Sequence, residues 1–285
     1  MKPTDIPKVS IHGGHSGEFC HHAKDSLEDI VLKYIQKGFE WVGITEHIPP
    51  PNNDRRYEDE IADHLDVSFL TQKFMQYMQK GKQLKRKYQD KITLYIGFET
   101  ETYTGYAAHV KSLAQSYQPD YMVGSVHHVD DINFDFSPSV YEQAVEKAGG
   151  IIPLYARYFD SQFDMIQILQ PKVIGHFDVI RLYDPKYGKH LSDPDIGKRI
   201  DRNLSLIASQ KMILDFNLRA WLKGADEPYL SRPILEKVRS MGIPVVPGDD
   251  SHGLDSVGLN IERGISLLQS LGFNTRWQRP VFSNP

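Results

Sequence analysis

Residues 8–47 read KVSIHGGHSGEFCHHAKDSLEDIVLKYIQKGFEWVGITEH and contain one complete strand–helix–strand unit. The short apolar run at 8–12 predicts a strand, and a second such run at 41–47 predicts another. Between them, the segment 25–38 has helical periodicity, begins with a capping residue and ends at Gly38. This unit decides the fold, because a strand, a crossover helix and a second strand imply parallel pairing.

The same alternation continues along the chain. Five further strands are predicted at 92–99, 121–127, 172–178, 212–217 and 243–252. The predicted helices lie at 67–89, 107–117, 140–149, 152–169, 195–210, 228–242 and 260–273. Seven strands in this order predict an α/β barrel of the TIM type, with a doubly wound open sheet as the alternative. We expect a single domain over 1–285, with its core at about 8–273 and a loosely held tail at 274–285.

The composition is that of an ordinary globular protein. Of the 285 residues, 40% are apolar and 25% are charged, and the formal net charge is −4. This mild acidity argues against a nucleic-acid partner, and no apolar run is long enough for a membrane span. The single cysteine, Cys20, excludes an intrachain disulfide and, with a start that lacks a signal-like apolar run, predicts a cytoplasmic protein. Twelve histidines stand out, and their positions carry the functional argument.

Residue types that bind metals follow the predicted strands. The residues at or just beyond these ends are His12, His15, Glu46, His47, Glu99, Glu101, His127, His128, His176, Asp178, Asn217, Arg219, Asp249, Asp250 and His252. Because parallel strands end on one face of a barrel, we expect these side chains to converge on one cavity. Imidazole and carboxylate together suit Zn, Mn or Fe. The ligands outnumber what one ion can use, so a multinuclear site is expected, with Glu99 able to bridge two ions.

Six motifs carry a family resemblance. They are HGGHSGEFCHHAKDSLE (12–28), ITEH (44–47), GFET (97–100), GSVHH (124–128), GHFD (175–178) and GDDSH (248–252). In this order they resemble the PHP (polymerase and histidinol phosphatase) superfamily, and within it the histidinol-phosphate phosphatases. The resemblance covers roughly 9–255 and implies a distorted (β/α)7 barrel with three divalent metal ions, Zn, Mn or Fe.

The resemblance also implies which residues bind each ion. The first ion would be held by His12, His15, Glu99 and Asp250. The second would be held by Glu99, His127 and His176. The third would be held by His22, His47 and His252. Neighbours that rank lower as ligands are His21, His128 and Asp249. Carboxylates expected to orient ligating imidazoles are Glu46, Glu101 and Asp178.

The first motif departs from the family pattern, in which one residue separates the two histidines. Here Gly13 and Gly14 stand between His12 and His15. On a regular strand, residues three apart point to opposite faces, so the pair needs an irregular backbone to share a site. Two glycines permit a bulge or a left-handed turn.

Three histidines, the cysteine and two long loops lie outside the predicted ligand set. Three histidines outside the motifs, His64, His109 and His190, are expected on the solvated surface. Cys20 has no paired base in the sequence and is expected to be a small buried filler. Two long polar segments, 48–66 and 130–139, are expected to be functional loops, the first of them a lid.

The chemistry expected of such a site is hydrolysis of a small-molecule phosphate ester. Metal ions lower the pKa of bound water, so a metal-activated hydroxide would attack without a covalent intermediate. Glu99, Asp250 and Arg219 are the predicted catalytic residues. The predicted phosphate contacts are Arg219, Arg157 and Arg181, because arginine binds phosphate in a bidentate manner. Arg55 and Arg56 are candidate contacts from the lid.

The resemblance implies L-histidinol phosphate as the substrate and a role in histidine biosynthesis. Residues able to recognise its imidazole and amino groups are Glu101, Tyr103, Asp131 and Phe134. The alternatives are a PHP phosphoesterase acting on a nucleotide or phosphotyrosine, and a non-catalytic metal-binding PHP module. An amidohydrolase-like barrel is disfavoured, because such sites carry a bridging lysine at a strand end and no predicted strand here ends in lysine.

Overall fold

A computed structural model describes residues 6–280. Its strands are β1 (Lys8–Gly13), β2 (Phe39–Ile44), β3 (Thr93–Ile96), β4 (Phe98–Glu99), β5 (Met122–Gly124), β6 (His128–Val129), β7 (Ile132–Asn133), β8 (Val173–Ile174), β9 (Ile213–Asn217) and β10 (Val245–Gly248). Its helices are α1 (Leu27–Gln36), α2 (Glu58–Ala62), α3 (Val67–Lys87), α4 (Tyr106–Tyr117), α5 (Pro138–Ala148), α6 (Ile151–Leu169), α7 (Tyr187–Leu191), α8 (Pro194–Ser209), α9 (Arg219–Leu222), α10 (Arg232–Ser240) and α11 (Ile261–Ser270).

Two parallel sheets form the wall of a closed barrel. One has the strand order β1-β2-β3 and the other β10-β9-β8-β5-β4. The sheets join on one side because β3 and β4 are two parts of one strand interrupted at Gly97, whose N–H donates to the Ile44 carbonyl at 2.8 Å. They join on the other side where the N–H of Asp250 donates to the His12 carbonyl at 2.8 Å. The predicted distorted barrel of seven strand positions is confirmed, and the open sheet is wrong.

An apolar plug fills one end of the barrel and leaves the other end open. Buried residues from seven strand positions form it: Val9, Ile11, Trp41, Tyr95, Tyr121, Val123, Val173, Ile213 and Val246. Most of them stand before the last residues of their strands, and none is at a carboxyl-terminal strand end, so the plug lies towards the amino-terminal end. A second and larger core packs the outer strand faces against the helices. Polar side chains can therefore gather only at the carboxyl ends of the strands, which is where the sequence places histidine and carboxylate.

The segment after α11 crosses the amino-terminal end of the barrel. The indole N–H of Trp277 donates to the Pro7 carbonyl at 2.8 Å, and its ring packs against the apolar plug. Arg279 donates to the Tyr95 hydroxyl at 3.1 Å and pairs with Glu40 at 2.9 Å. The expectation of a loosely held tail is wrong up to residue 280, because Trp277 covers apolar surface there. Residues 281–285 lie outside the described residues.

Both long loops contain short regular elements that the sequence pattern did not predict. The segment 48–66 includes a 3-10 turn at Asn53–Arg55 and the helix α2. The second loop begins with the β6–β7 hairpin. Between residues 6 and 280, no helix is both long and apolar enough to cross a bilayer.

Candidate metal centre

Glu99 occupies the middle of the open end of the barrel. Its Oε1 lies 3.0 Å from Nε2 of His127 and 2.8 Å from Nε2 of His176. Its Oε2 lies 3.2 Å from Nε2 of His12 and 3.4 Å from Nδ1 of His47. One buried carboxylate therefore contacts imidazoles that follow or end four different strands.

The paired glycines bring His12 and His15 to the same cavity. The pairing of β1 with β2 shifts register between Ser10 and Gly13, as expected of a bulge, and Gly14 adopts a left-handed φ of 73°. A Cβ on Gly13 would lie 2.6 Å from the Tyr34 hydroxyl, so no larger residue fits. As a result, ligand atoms of His12, His15 and Asp250 lie within 4.8 Å of one another.

A second set of close ligand atoms comprises His15, Cys20, His47 and His252, again within 4.8 Å. The rings of His15 and His252 stack with centroids 4.2 Å apart. His22 lies nearby, with its ring 5.1 Å from His252 and 5.3 Å from His47, and its side chain is accessible at the cavity mouth. The structure thus brings together all nine predicted ligands, with His22 at the edge of the group.

Several buried nitrogens in this cluster make no hydrogen bond within the described part of the chain. They are Nε2 of His12, both ring nitrogens of His15, Nδ1 of His47 and Nδ1 of His176. Three of these nitrogens instead lie near carboxylate oxygens: Nε2 of His12 is 3.2 Å and Nδ1 of His47 is 3.4 Å from Glu99, and Nε2 of His15 is 3.3 Å from Asp250. Lone pairs that converge around ionised carboxylates are what divalent cations require, so this residue set fits metal ions.

The charges of the cluster are strongly coupled. Burial alone would raise the pKa of Glu99, but His12, His47 and His127 hold it well below its usual value. Burial would lower the pKa of His12, but Glu99 and Asp250 raise it to about 10. By contrast, desolvation by the crowded cluster and the charge of His47 lower the pKa of His22 to about 3, although its side chain reaches the cavity mouth. The carboxylates are therefore ionised at neutral pH, and His22 is neutral.

Carboxylates behind the cluster orient its imidazoles. Oδ2 of Asp215 lies 3.0 Å from Nδ1 of His12, and Oδ2 of Asp135 lies 2.8 Å from Nδ1 of His127. Sequence reasoning missed both residues. Asp215 is the only charged residue in the apolar strand β9, and a lone charge in a buried strand indicates a functional residue. Asp135 lies in a loop, where no hydrophobic periodicity indicates the direction of a side chain.

The three carboxylates predicted to orient imidazoles behave differently from one another. Glu46 accepts hydrogen bonds from Ser16 and lies 3.6 Å from Nδ1 of His15. Glu101 lies 3.2 Å from Nδ1 of His47. Asp178 instead accepts from the backbone N–H groups of residues 230 and 231, so its predicted role is wrong and it fastens a neighbouring loop.

The lower-ranked neighbours point away from the cavity. His21 pairs with Asp63 at 2.8 Å, and His128 lies 3.2 Å from Glu101, beside Tyr57. Asp249 accepts hydrogen bonds from Ser10 and Tyr34 in the core.

The three histidines expected on the surface have different environments. His64 is exposed as predicted. His109 and His190 are half-buried and bonded, to the Pro49 carbonyl at 2.8 Å and to Asp184 at 2.6 Å. The surface interpretation is therefore wrong for His109 and His190.

A cavity of about 220 Å³ opens beside the cluster. Besides predicted ligands and Arg219, it is lined by Tyr57, Asn133, Asp135, Phe136, Val179, Lys223 and Tyr229. Arg219 donates from Nη1 to the Asp250 carbonyl at 2.8 Å and leaves other N–H groups for a ligand. Lys223 stands one turn further on, next to α9.

The other predicted arginine contacts lie elsewhere. Arg157 forms an ion pair with Asp130 on the surface, and the buried Arg181 binds Asp178 and the carbonyls of residues 227 and 228. Arg55 pairs with Asp131 at 2.8 Å, and Arg56 donates to the carbonyl of residue 65. Among the described residues that line the cavity, Arg219 is thus the only arginine of the five considered.

The chain is similar in sequence to known proteins. A family model described as the PHP domain matches residues 13–219, and the chain belongs to that family. Within the family, the chain is 37% identical over 271 residues to a Schizosaccharomyces pombe protein named "Probable histidinol-phosphatase", covering 94% of this chain and 88% of that protein. It is 27% identical to the histidinol-phosphatase of Saccharomyces cerevisiae, over 87% of this chain and 84% of the yeast protein.

A solved structure supports the fold. The histidinol phosphate phosphatase of Lactococcus lactis, in complex with Zn, L-histidinol and phosphate, superposes with a TM-score of 0.71 at 21% identity. The superposition covers 95% of each chain. The family resemblance read from the six motifs is confirmed.

Proposed function

We propose that the chain is a metal-dependent phosphomonoesterase that hydrolyses L-histidinol phosphate to L-histidinol and phosphate, consuming one water, in histidine biosynthesis. The observation that carries the proposal is the cluster of imidazoles around Glu99, with Arg219 on the same cavity wall. The 37% identity to a relative named histidinol-phosphatase, over nearly the whole chain, supports the substrate. We also propose a cytoplasmic location, based on the single cysteine.

The cluster has ligands for three divalent ions. The proposed ligands of the first ion are His12, His15, Glu99 and Asp250. Those of the second are Glu99, His127 and His176. Those of the third are His47 and His252, with His22 at the edge. When bound, such ions stabilise charge on a phosphoryl group and activate water for attack.

Arg219 and Lys223 form the cationic part of the cavity and would bind the phosphate. The ammonium of Lys223 makes no hydrogen bond or ion pair with another described residue, so it is available to a ligand. Arg219 presents its remaining guanidinium N–H groups in a fixed plane, which suits bidentate contact with phosphate oxygens. Both would hold the phosphate against the metal cluster and balance the charge that develops during hydrolysis.

The opposite wall would recognise the rest of the substrate. Oδ1 of Asn133 is buried and makes no hydrogen bond with the described residues, so it can accept one from an ammonium or imidazole N–H. Asp135 adds a negative charge, and Phe136 and Tyr229 add aromatic faces. The four residues predicted from sequence do not line this cavity: Glu101 and Tyr103 face a separate space behind Tyr57, Asp131 binds Thr104 and Arg55, and Phe134 is in the core.

Initial rates with histidinol phosphate and with p-nitrophenyl phosphate test the proposal. We expect the metal-loaded protein to prefer histidinol phosphate, and Arg219→Ala to lower kcat/KM for both by about 10²-fold. Asn133→Ala should lower kcat/KM for histidinol phosphate alone, and Arg157→Ala, the control, should change neither. Equal turnover of both esters would overturn the substrate, whereas no hydrolysis by the fully loaded protein would favour the non-catalytic module.

A further inference from the structure

The sulfur of Cys20 lies among imidazoles instead of filling an apolar pocket. Sγ is 3.3 Å from Nε2 of His22, and it shares the 4.8 Å group of ligand atoms with His15, His47 and His252. The residue is only 6% exposed. The sequence interpretation of Cys20 as a small buried filler accounts for its burial but not for these neighbours.

The adjacent imidazole supplies an independent observation. His15 is fully buried, and its ring nitrogens make no hydrogen bond of good geometry within residues 6–280, although they lie 3.3 Å from Asp250 and 3.6 Å from Glu46. Nδ1 of His47 is likewise without a hydrogen-bond partner in that range. One ring nitrogen of His15 and one of His47 lie in the same group of close ligand atoms as the sulfur, so the space between them suits a cation.

The backbone holds Cys20 in this position. Its N–H donates to the Ser16 carbonyl at 2.8 Å, closing one turn of chain. Ser16 is itself fixed, because its N–H and hydroxyl both donate to Glu46, at 2.8 and 2.7 Å. The sulfur is therefore presented by a turn tied to the end of β2, as a preorganised ligand would be.

We propose that Cys20 is a sulfur ligand of the ion held by His47 and His252. This position of the centre would then combine thiolate with imidazole, while the positions around Glu99 combine imidazole with carboxylate. Thiolate is a soft ligand that favours zinc over harder ions such as manganese. The consequence is a metal selectivity that differs within one centre, a property separate from the proposed hydrolysis.

Cobalt substitution tests this ligand directly. Because the chain has one cysteine, any cobalt–thiolate charge-transfer band in the near ultraviolet must arise from Cys20. We expect that band in the cobalt-loaded protein, its loss in Cys20→Ser with the visible bands retained, and its retention in the control His21→Ala. Full cobalt loading of the unmodified protein without the band would overturn the proposal.

A second measurement needs no variant. X-ray absorption at the zinc edge should show a sulfur shell at about 2.3 Å beside the nitrogen and oxygen shell at about 2.0–2.1 Å. Its absence in the zinc-loaded protein would also overturn the proposal. Hydrolysis of histidinol phosphate is measured separately, so activity without sulfur ligation rejects only Cys20, and sulfur ligation without activity rejects only the proposed function.

Discussion

Glu99 organises the metal centre at the scale of single residues. Its two oxygens contact His12, His47, His127 and His176, so the imidazoles are arranged around a negative charge. The same imidazoles keep the pKa of Glu99 well below its usual value despite burial. This central negative charge therefore helps to hold the proposed ligands close together.

Asp215 is expected to control the orientation of His12. Asp215→Asn keeps the shape of the side chain but removes the charge that faces Nδ1 of His12 at 3.0 Å. We expect metal affinity or hydrolysis to fall by about 10–100-fold, as is typical for groups that orient ligating imidazoles. Metal titration and initial rates measure this effect.

The matched control for Asp215 is Asp184→Asn, which changes an Asp–His pair that does not line the cavity. Asp184 lies 2.6 Å from Nδ1 of His190. Unchanged metal affinity and rate in Asp215→Asn, or an equal loss in both variants, would contradict the orienting role.

The coupled charges predict a pH dependence of stability after chelation. The pKa of His12 is raised from 6.5 to about 10, mainly by Glu99 and Asp250 against the opposing effect of burial. A raised pKa in the folded state stabilises the protein fully below pH 6.5, and this contribution is lost as pH rises towards 10. The Tm of the chelated protein should therefore fall between pH 6.5 and 10.

The metal-loaded protein and the variant His12→Gln are the controls for this measurement. Bound ions require unprotonated nitrogens, so the loaded protein should not show this loss of Tm, and His12→Gln should reduce it in the chelated protein. A Tm of the chelated protein that stays level or rises over this range would contradict the prediction.

Residues at strand ends could be predicted from sequence, and residues on loops could not. His127 and His176 follow apolar runs, so the barrel geometry alone directs them to the cavity. Asp135 and Lys223 lie where no periodic pattern sets the direction of a side chain. The prediction that Arg157 contacts phosphate is wrong for a related reason. The helical pattern predicts which face of α6 is buried, but it does not predict that the loop containing Asp130 lies beside Arg157.

At the scale of elements, the irregular end of β1 allows an unusual spacing of two ligands. The shift of register before Gly13 and the left-handed φ of Gly14 turn His15 into the site that His12 already faces. The sequence predicts that the two glycines permit this irregular backbone, because on a regular strand His12 and His15 would point to opposite faces. The sequence does not predict the contact with the Tyr34 hydroxyl that excludes a larger residue at Gly13.

Gly14→Ala is expected to damage both stability and the metal centre. Alanine at this position would have an unfavourable positive φ, and its Cβ would lie 2.6 Å from Cδ1 of Ile44. We expect a loss of about 2–3 kcal/mol in the free energy of unfolding, with weaker metal binding as His15 moves. Urea denaturation and metal content measure the two effects.

Gly38→Ala provides the matched control, since Gly38 has a φ of 72° and no atom within 4 Å of the added Cβ. It should lose about 1–2 kcal/mol from backbone strain alone and keep its metal. Equal losses in the two variants would show that the contact with Ile44 is unimportant.

The existence of strands and helices was predicted more accurately than their ends. The pattern at 172–178 predicts seven strand residues, but only Val173 and Ile174 pair, because the chain turns into a short 3-10 segment at Val179–Arg181. The helix predicted over 228–242 covers only Arg232–Ser240, where a proline at the amino-terminal end favours the start of a helix. Tertiary contacts set these limits, and periodicity does not record them.

At the scale of the whole molecule, the barrel separates stability from chemistry. One end is filled by the apolar plug and covered by Trp277, and the other end holds the cluster of proposed metal ligands and its cavity. The tail could not be assigned from sequence, because 274–280 has no periodic pattern and its contacts are with residues more than 180 positions away.

Trp277→Ala is expected to weaken the fold without changing catalysis. The substitution removes a half-buried ring from the plug and the hydrogen bond to Pro7, which should lower the free energy of unfolding by about 2 kcal/mol. The rate per folded molecule should not change, because the site is at the opposite end. Arg276→Ala, an exposed neighbour, is the control, and a changed KM in Trp277→Ala would contradict this separation.

The hydrogen bond between Asp250 and His12 has a consequence for how the protein is made. It joins the first strand to the segment that follows the last one, and both residues are proposed ligands of the same ion. A ribosome must therefore translate past position 252 before the centre can close. Until then, the nascent chain carries its early histidines without Asp250 and His252, so the complete centre can form only after this last segment has been made.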